Sequence, residues 1–259
     1  MIAMNFFRLV VVFITLFLCV SYTPVCSQAS QDAYPDLLSD EFLDDDEFDE
    51  FDSEIEYVVR DPLEPMNRLF FQFNDKLYEW ILKPVTNGYI WLVPRELRVD
   101  FGNFYFNLSM PIRLLNSLLQ GNFHSSVTTL SRFVINSTIG VWGLVDVAAL
   151  EFDMTPIRAD FGQTLGKWGV GEGIYFCWPL FGPSNVRATA GLVVDAYTHP
   201  VPYFHDSRVL DLAYYTSNKL TTLSLNPDLY EDMKRFSLDP YISARQAFYE
   251  YRQAMIERN

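Results

Sequence analysis

The sequence predicts a mostly α-helical protein assembled from many short amphipathic helices, and three observations lead there. Apolar residues recur at spacings of three and four along most of the chain. Proline and glycine interrupt that rhythm often, and no alternating apolar/polar stretch of useful length appears. Beyond the N-terminal segment the longest unbroken apolar run is Ile139–Val145, seven residues, where a membrane-crossing helix needs ~20. Aromatics make up 16% of the chain and Phe alone numbers 22. Such a chain buries its apolar surface piecewise, on one side of short helices, against either an ordinary large core or lipid.

Taken in order, residues 1–29 form a signal peptide. Arg8 is a thin positive start, Leu9–Val20 is apolar except for Thr15, and small residues precede a cleavage point after Ala29. An uncleaved anchor is the alternative, and either way the body is exported. Residues 30–56 read as an acidic, disordered spacer: twelve Asp/Glu and no Lys/Arg lie between Asp36 and Glu56, and self-repulsion extends such a segment. That segment carries most of the formal charge of −14 and leaves the rest nearly neutral, which gives no electrostatic basis for nucleic-acid binding.

Residues 57–259 form the helical domain. Asp61-Pro62-Leu63-Glu64 has the form of a helix start, with Asp61 as N-cap, Pro62 at N1 and Glu64 closing a capping box. Met66, Phe70, Phe73, Leu77 and Trp80 then make one apolar stripe, and Pro84 with Asn87-Gly88 is expected to end that helix. Pro94 opens a second segment carrying Leu97, Phe101, Phe104 and Leu108. Pro111–Leu119 is a short helix closed by Gly121, and Ser125–Ile135 continues with Val127, Leu130, Phe133 and Val134. Near the end, Asp239-Pro240 launches Tyr241–Ile256, with Ile242, Ala247, Tyr251 and Met255 expected inward.

One stretch breaks the rhythm. Gly166–Gly182 holds five glycines among bulky aromatics, with Gly169, Gly171 and Gly173 alternating. Glycine at every second position frees the backbone and predicts an extended, easily rearranged loop or hairpin. A nucleotide-binding loop is excluded, because no clear strand precedes it and Tyr, Cys, Trp and Pro stand where a helix should begin.

Candidate chemistry is sparse, and nothing calls for a cofactor. Of three cysteines, Cys19 and Cys26 lie in or beside the signal, and Cys177 reads as a small buried residue; a single Cys26–Cys177 bridge stays open. The histidines are His124, His199 and His205. His199 and His205 flank Pro200 and Pro202 with Asp206 adjacent, read as a surface loop rather than a metal pair. No Gly-x-Ser-x-Gly elbow supports a lipid hydrolase, so the chain is read as a non-enzyme.

Several separated blocks together resemble one family: Asp61-Pro62-Leu63-Glu64, Asn67-Arg68, Phe73-Asn74, Pro84-Val85, Val93-Pro94, Leu119-Gln120-Gly121, Arg132-Phe133, Asn136 to Gly140 and Asp146-Val147-Ala148. Phe161 to Gly166 running into Gly169-Val170-Gly171 and Gly173, then Pro179 to Ser184 and Asp239-Pro240-Tyr241, complete the set. In order and spacing they are similar to the MlaA (VacJ) family, across roughly Tyr57 to Arg258. The resemblance implies a ring-like arrangement of the helices around an amphipathic channel in the outer membrane of a Gram-negative bacterium. It further implies removal of misplaced phospholipid from the outer leaflet, transfer to the periplasmic carrier MlaC, and a hold on an outer-membrane porin trimer. On this reading Phe70, Phe73 and Asn74 lie near the lipid path, and Gly169, Gly171 and Gly173 form a gating loop. Family members are lipoproteins; the two candidate cysteines, Cys19 and Cys26, each follow a bulky residue and depart from the lipobox. Alternatives are a porin-associated structural protein without transport, and a lipid hydrolase.

Overall fold

The computed structural model describes residues 61–204 and 206–258. The signal segment, the acidic spacer, Cys19, Cys26 and His205 lie outside them. The described residues are mostly helical with one two-stranded sheet. In chain order they form α1 (Glu64–Leu77), a π-helical turn (Tyr78–Leu82), α2 (Lys83–Leu92), α3 (Arg95–Leu108), α4 (Met110–Leu119) and α5 (Phe123–Thr138). There follow α6 (Val147–Phe152), α7 (Phe161–Lys167), β1 (Tyr175–Trp178), β2 (Gly182–Asn185) and α8 (Val186–Thr198). A 3₁₀ turn (Val201–Phe204), α9 (Arg208–Leu225), α10 (Leu229–Phe236) and α11 (Pro240–Arg258) complete the order.

The first helix starts later than its sequence suggests. Asp61 and Glu64 do not form a capping box: α1 begins at Glu64 with no side-chain cap, and Glu64 pairs with Arg68 at 2.7 Å. Asp61 is drawn into longer-range bonds instead. Its Oδ1 accepts from Leu63 N at 3.1 Å and Asn67 Nδ2 at 2.8 Å, and its Oδ2 meets the Tyr241 hydroxyl and Arg245. A buried carboxylate with four donors outweighs one local cap.

Pro84 and Asn87-Gly88 do not end the helix either. The backbone runs on to Leu92, because the π turn before Pro84 widens the ladder: Lys83 N bonds Tyr78 O, five residues back. That bulge relieves the proline's clash with the preceding turn. The helix stops at Val93, which is extended (φ −116°, ψ 117°) as a residue before proline must be.

α4 and α5 form a helical hairpin. Gly121 between them takes a left-handed φ of +71°, and the Asn122 side chain caps α5 by accepting from Ser125 N at 3.0 Å. α9 packs on α2 and α3, where Tyr105 donates to Ser217 Oγ at 2.7 Å. α7 and α8 cross closely: a Cβ on Gly191 would lie 2.2 Å from Gly162 N, so glycine at this position permits the approach, while a Cβ on Gly162 would meet the Arg252 guanidinium at 2.4 Å. β1 and β2 are antiparallel, Tyr175 opposite Asn185 and Trp178 opposite Gly182.

The apolar core is small. Tyr175, Tyr241 and Tyr249 cluster with Phe71 and Phe248 between β1 and α11. Burying one such ring, about 200 Å² at ~25 cal/mol per Å², contributes about 5 kcal/mol before entropy. The buried side of α11 carries Tyr241, Tyr249 and Arg252. The expected inward set is corrected here: Ile242 and Tyr251 are exposed, Ala247 is exposed and Met255 is half-buried. The tyrosine cluster and the Arg252–Asp160 pair, not aliphatic content, choose the face.

Candidate functional site

Polar and apolar residues are distributed inside out. The buried face of α5 is Ser125, Ser126, Thr129, Arg132 and Asn136, whereas Phe123, Val127, Leu130 and Val134 are exposed. α3 buries Arg98, Gly102 and Asn107 and exposes Phe101. α1 buries only Asn67. Its predicted stripe looks outward at Met66, Phe73 and Trp80, with Phe70 and Leu77 half-buried. Arg132 is 1% and Asn67 0% exposed, against 78% for Trp142 and 87% for Trp91. Exposed aromatic and aliphatic side chains in this number mark a surface that meets a membrane or another protein.

The polar interior is held by hydrogen bonds rather than by apolar contact. Arg132 Nη2 lies 2.5 Å from Asp146 Oδ2, and Asp146 Oδ1 accepts from Asn136 Nδ2 at 2.8 Å. Asn136 Oδ1 in turn accepts from Ala148 N at 2.9 Å. The intervening loop places Val141 and Trp142 in left-handed conformations (φ 51° and 61°), unfavourable for a β-branched residue and held by the network beneath. A second network joins Asn116, Thr164, Gln120 and Asp195. Asn116 Nδ2 donates to Asp195 Oδ1 at 2.9 Å and Asn116 Oδ1 accepts from Thr164 at 3.1 Å. Burial, opposed by hydrogen bonds from Phe161 N and Asn116 Nδ2, raises the Asp195 pKa above its ordinary value.

α1 grips the β-hairpin through two asparagines seven residues apart, on one helix face. Asn67 Oδ1 accepts from Cys177 N at 2.9 Å and its Nδ2 donates to Tyr175 O at 3.3 Å. Asn74 Oδ1 accepts from Leu180 N at 2.7 Å and its Nδ2 donates to Trp178 O at 2.9 Å. Helix side chains thus take the bonds that a third strand would take. Leu180 sits at φ +73° at the hairpin tip, in a conformation stabilised by Asn74. Cys177 is free and buried, and burial pushes its thiol up to about 11.

The glycine segment joins α7 to this hairpin. Gly169 (φ +81°) ends α7: Gly169 N bonds Gly166 O and Val170 N bonds Leu165 O, both at 2.9 Å, a Schellman closure. Gly171 is exposed with open space around it, and Gly173 (φ +75°) packs against Val186, 2.8 Å from where its Cβ would be. The loop is fastened to the start of α8. Val186 N donates to Ile174 O at 3.3 Å and Arg187 N to Glu172 O at 3.2 Å. The Arg187 guanidinium donates to Val170 O at 3.0 Å and meets Glu172 Oε1 at 3.3 Å.

The fold therefore brings Asn74 and the three glycines to the two ends of one hairpin unit, while Phe73 projects outward from the same helix. Arg187 and Glu172 were given no role from the sequence, and Asn67 stood out only beside Arg68 in the family resemblance; a lone Arg next to an N-cap asparagine carries no periodic signal. His199 is buried. Its Nδ1 accepts from Val201 N at 3.3 Å and its Nε2 lies 3.2 Å from the Tyr214 hydroxyl, and burial lowers its pKa. An open groove of about 210 Å³ beside Arg68 and Lys234 is lined by charges already paired with Asp239 and Asp75.

Comparison with known proteins follows the same outline. The intermembrane phospholipid transport system lipoprotein MlaA of Escherichia coli K12 is 31% identical over 195 residues, covering 73% of this chain and 76% of that protein. An uncharacterised protein of Rickettsia typhi is 31% identical over 200 residues, covering 77% and 79% respectively. A solved structure described under "Structural basis for maintenance of bacterial outer membrane lipid asymmetry" superposes with a TM-score of 0.67 at 30% identity, covering 76% of this chain and 99% of that one. The MlaA lipoprotein family matches residues 59–255, and with helices, hairpin and glycine loop all accounted for, the chain belongs to that family.

Proposed function

We propose that this protein is a passive conduit for phospholipid, removing misplaced molecules from the outer leaflet of the outer membrane and passing them toward the periplasm. The observation that carries this reading is the inverted surface: Trp91, Phe123, Val127 and Trp142 outward, Asn67, Thr129, Arg132 and Asn136 inward. A protein so built is stable with its outside in hydrocarbon and its polar groups bonded within, the rule for any structure at membrane depth. No helix among the described residues is long and apolar enough to cross a membrane, so short helices would have to sit in the bilayer as a group, arranged as a ring around an amphipathic channel.

The energetics demand such a channel. Exposing two acyl chains to water costs on the order of 25 kcal/mol at ~0.8 kcal/mol per CH₂. An apolar wall beside the tails and a polar strip beside the head group remove that barrier. Phe70, Phe73 and Asn74 are assigned to the lipid path, and Gly169, Gly171 and Gly173 to a loop that gates it. A periplasmic carrier of the MlaC type is proposed as the recipient and an outer-membrane porin trimer as the support; the relatives' name, an intermembrane phospholipid transport system lipoprotein, supports the handling of phospholipid.

Outer-leaflet phospholipid, measured in a deletion strain and in the same strain carrying the gene, tests the reading: the deletion should accumulate it. Equal levels in both strains would remove the transport role. Gly171→Val meets no steric obstacle, so the variant should fold, stiffen the loop and change outer-membrane permeability to detergent.

A further inference from the structure

Resting on the conduit reading, a further site emerges at the start of α8. We infer that this helix N-terminus is a binding site for the phosphodiester of a phospholipid head group, kept filled by the glycine loop until lipid displaces it.

The donors are in place. α8 is 13 residues long, so its first N–H groups carry the partial positive charge that favours anions. Two of them, Val186 N and Arg187 N, are taken by the carbonyls of Ile174 and Glu172. The Arg187 guanidinium is held by Val170 O and the Glu172 carboxylate. Loop carbonyls and one carboxylate thus stand where phosphate oxygens would.

Two further donors at the same place have no partner. Arg187 Nε and Asn185 Nδ2 are buried and unbonded, on residues 7% and 1% exposed, and an unpaired buried donor is costly unless something is meant to meet it. The Asn185 Oδ1 already caps the helix through Ala188 N at 2.7 Å, which leaves its amide free to donate elsewhere.

The ion pair within this fastening is long. Arg187 and Glu172 meet at a single 3.3 Å contact, whereas the buried pair Arg132–Asp146 and the partly exposed pair Arg252–Asp160 close to 2.5 Å. A phosphodiester offers Arg187 a bidentate partner that the present contact is not. Gly169 and Gly171, both with open space around them, give the loop room to leave. Lipid arrival and loop opening become one exchange of acceptors.

The test uses the full chain in nonionic detergent with a nitroxide on Val170→Cys, an exposed side chain of the same loop, after replacing Cys19, Cys26 and Cys177. Titration with dihexanoylphosphatidylglycerol should raise the label's mobility saturably, and dihexanoylglycerol, which lacks the phosphate, should not. Glu172→Gln removes the competing carboxylate and should move half-saturation to about tenfold lower lipid. Arg187→Gln should be mobile without lipid and unresponsive to it; if that variant does not fold, Glu172→Gln still decides. An unresponsive label, an unshifted midpoint in Glu172→Gln, or an equal response to inorganic phosphate overturns the assignment. Failure here with normal clearance of outer-leaflet phospholipid in cells removes the latch alone, while failure of that clearance test removes the conduit itself.

Discussion

Asp146→Ala isolates what the polar interior contributes. Arg132 is 1% exposed and its carboxylate partner 9%, and removing one member of a buried pair strands the other, at a cost of about 3–5 kcal/mol. The same change removes the cap on α6, where Asp146 Oδ1 accepts from Ala149 N at 3.2 Å, adding about 1 kcal/mol. It also leaves Asn136 Nδ2 without its acceptor. For a domain of this size each kcal/mol lowers the midpoint by about 2–4 °C, so a fall of roughly 8–24 °C is expected. Scanning calorimetry in detergent at fixed scan rate and neutral pH measures it. Asp146→Asn, which retains an acceptor for Ala149 N, should lose about half as much. Arg132→Met combined with Asp146→Ala should recover part of the loss, since no charge is then stranded. Lys83→Ala, which breaks the exposed Lys83–Glu231 pair, should shift the midpoint by about 1 °C at most. If Asp146→Ala melts within about 2 °C of the parent, the interior is not held by this network.

Three other outcomes follow from the same geometry. Leu130→Asp lies on the outward face of α5; on a water-facing helix it would be harmless, but against hydrocarbon it costs about 2.5–3.5 kcal/mol and should deplete the protein from the outer-membrane fraction. Glu79 is held at a pKa of about 2 by hydrogen bonds from Lys76 and Lys234. A lowered carboxylate pKa stabilises the fold above its ordinary value and loses that contribution as pH falls through the folded one. Melting points of Glu79→Gln and the parent should therefore differ at pH 5–7 and converge toward pH 2. Asn74→Ala releases the hairpin turn, so maleimide modification of Cys177, slow in the parent because the thiol is buried and its pKa lies near 11, should accelerate about tenfold or more. An unchanged rate would show that Asn67 alone holds the strand.

Much of the architecture was legible because helix signals are local. Asp239 launches α11 by accepting from Tyr241 N at 3.0 Å, and Gly121 closes the α4–α5 turn at the position its sequence marks. The face each helix buries was not legible, because the rule that apolar stripes point inward presumes water outside. On α5 the informative stripe is the polar one, Ser125, Thr129, Arg132 and Asn136, which recurs at the same helical spacing as the apolar set and is the side that turns in. Pro84 misled for a different reason: a single π turn absorbs a proline, and five residues of ordinary composition give no sign of it. The glycine loop could be read from Gly169, Gly171 and Gly173. The residue that fastens it, Arg187, could not, since its contacts reach back 15 and 17 residues to Glu172 and Val170 and obey no period.

The paired glycines at the crossing of α7 and α8 limit how this protein can move. With Gly191 set so closely on α7 that a methyl group there would lie 2.2 Å from Gly162 N, the two helices touch backbone to backbone at this point, and sliding past each other is resisted there. Most of the connecting stretch is the β-hairpin, which α1 pins through Asn67 and Asn74, so what is left to flex between these anchors is the short glycine segment alone.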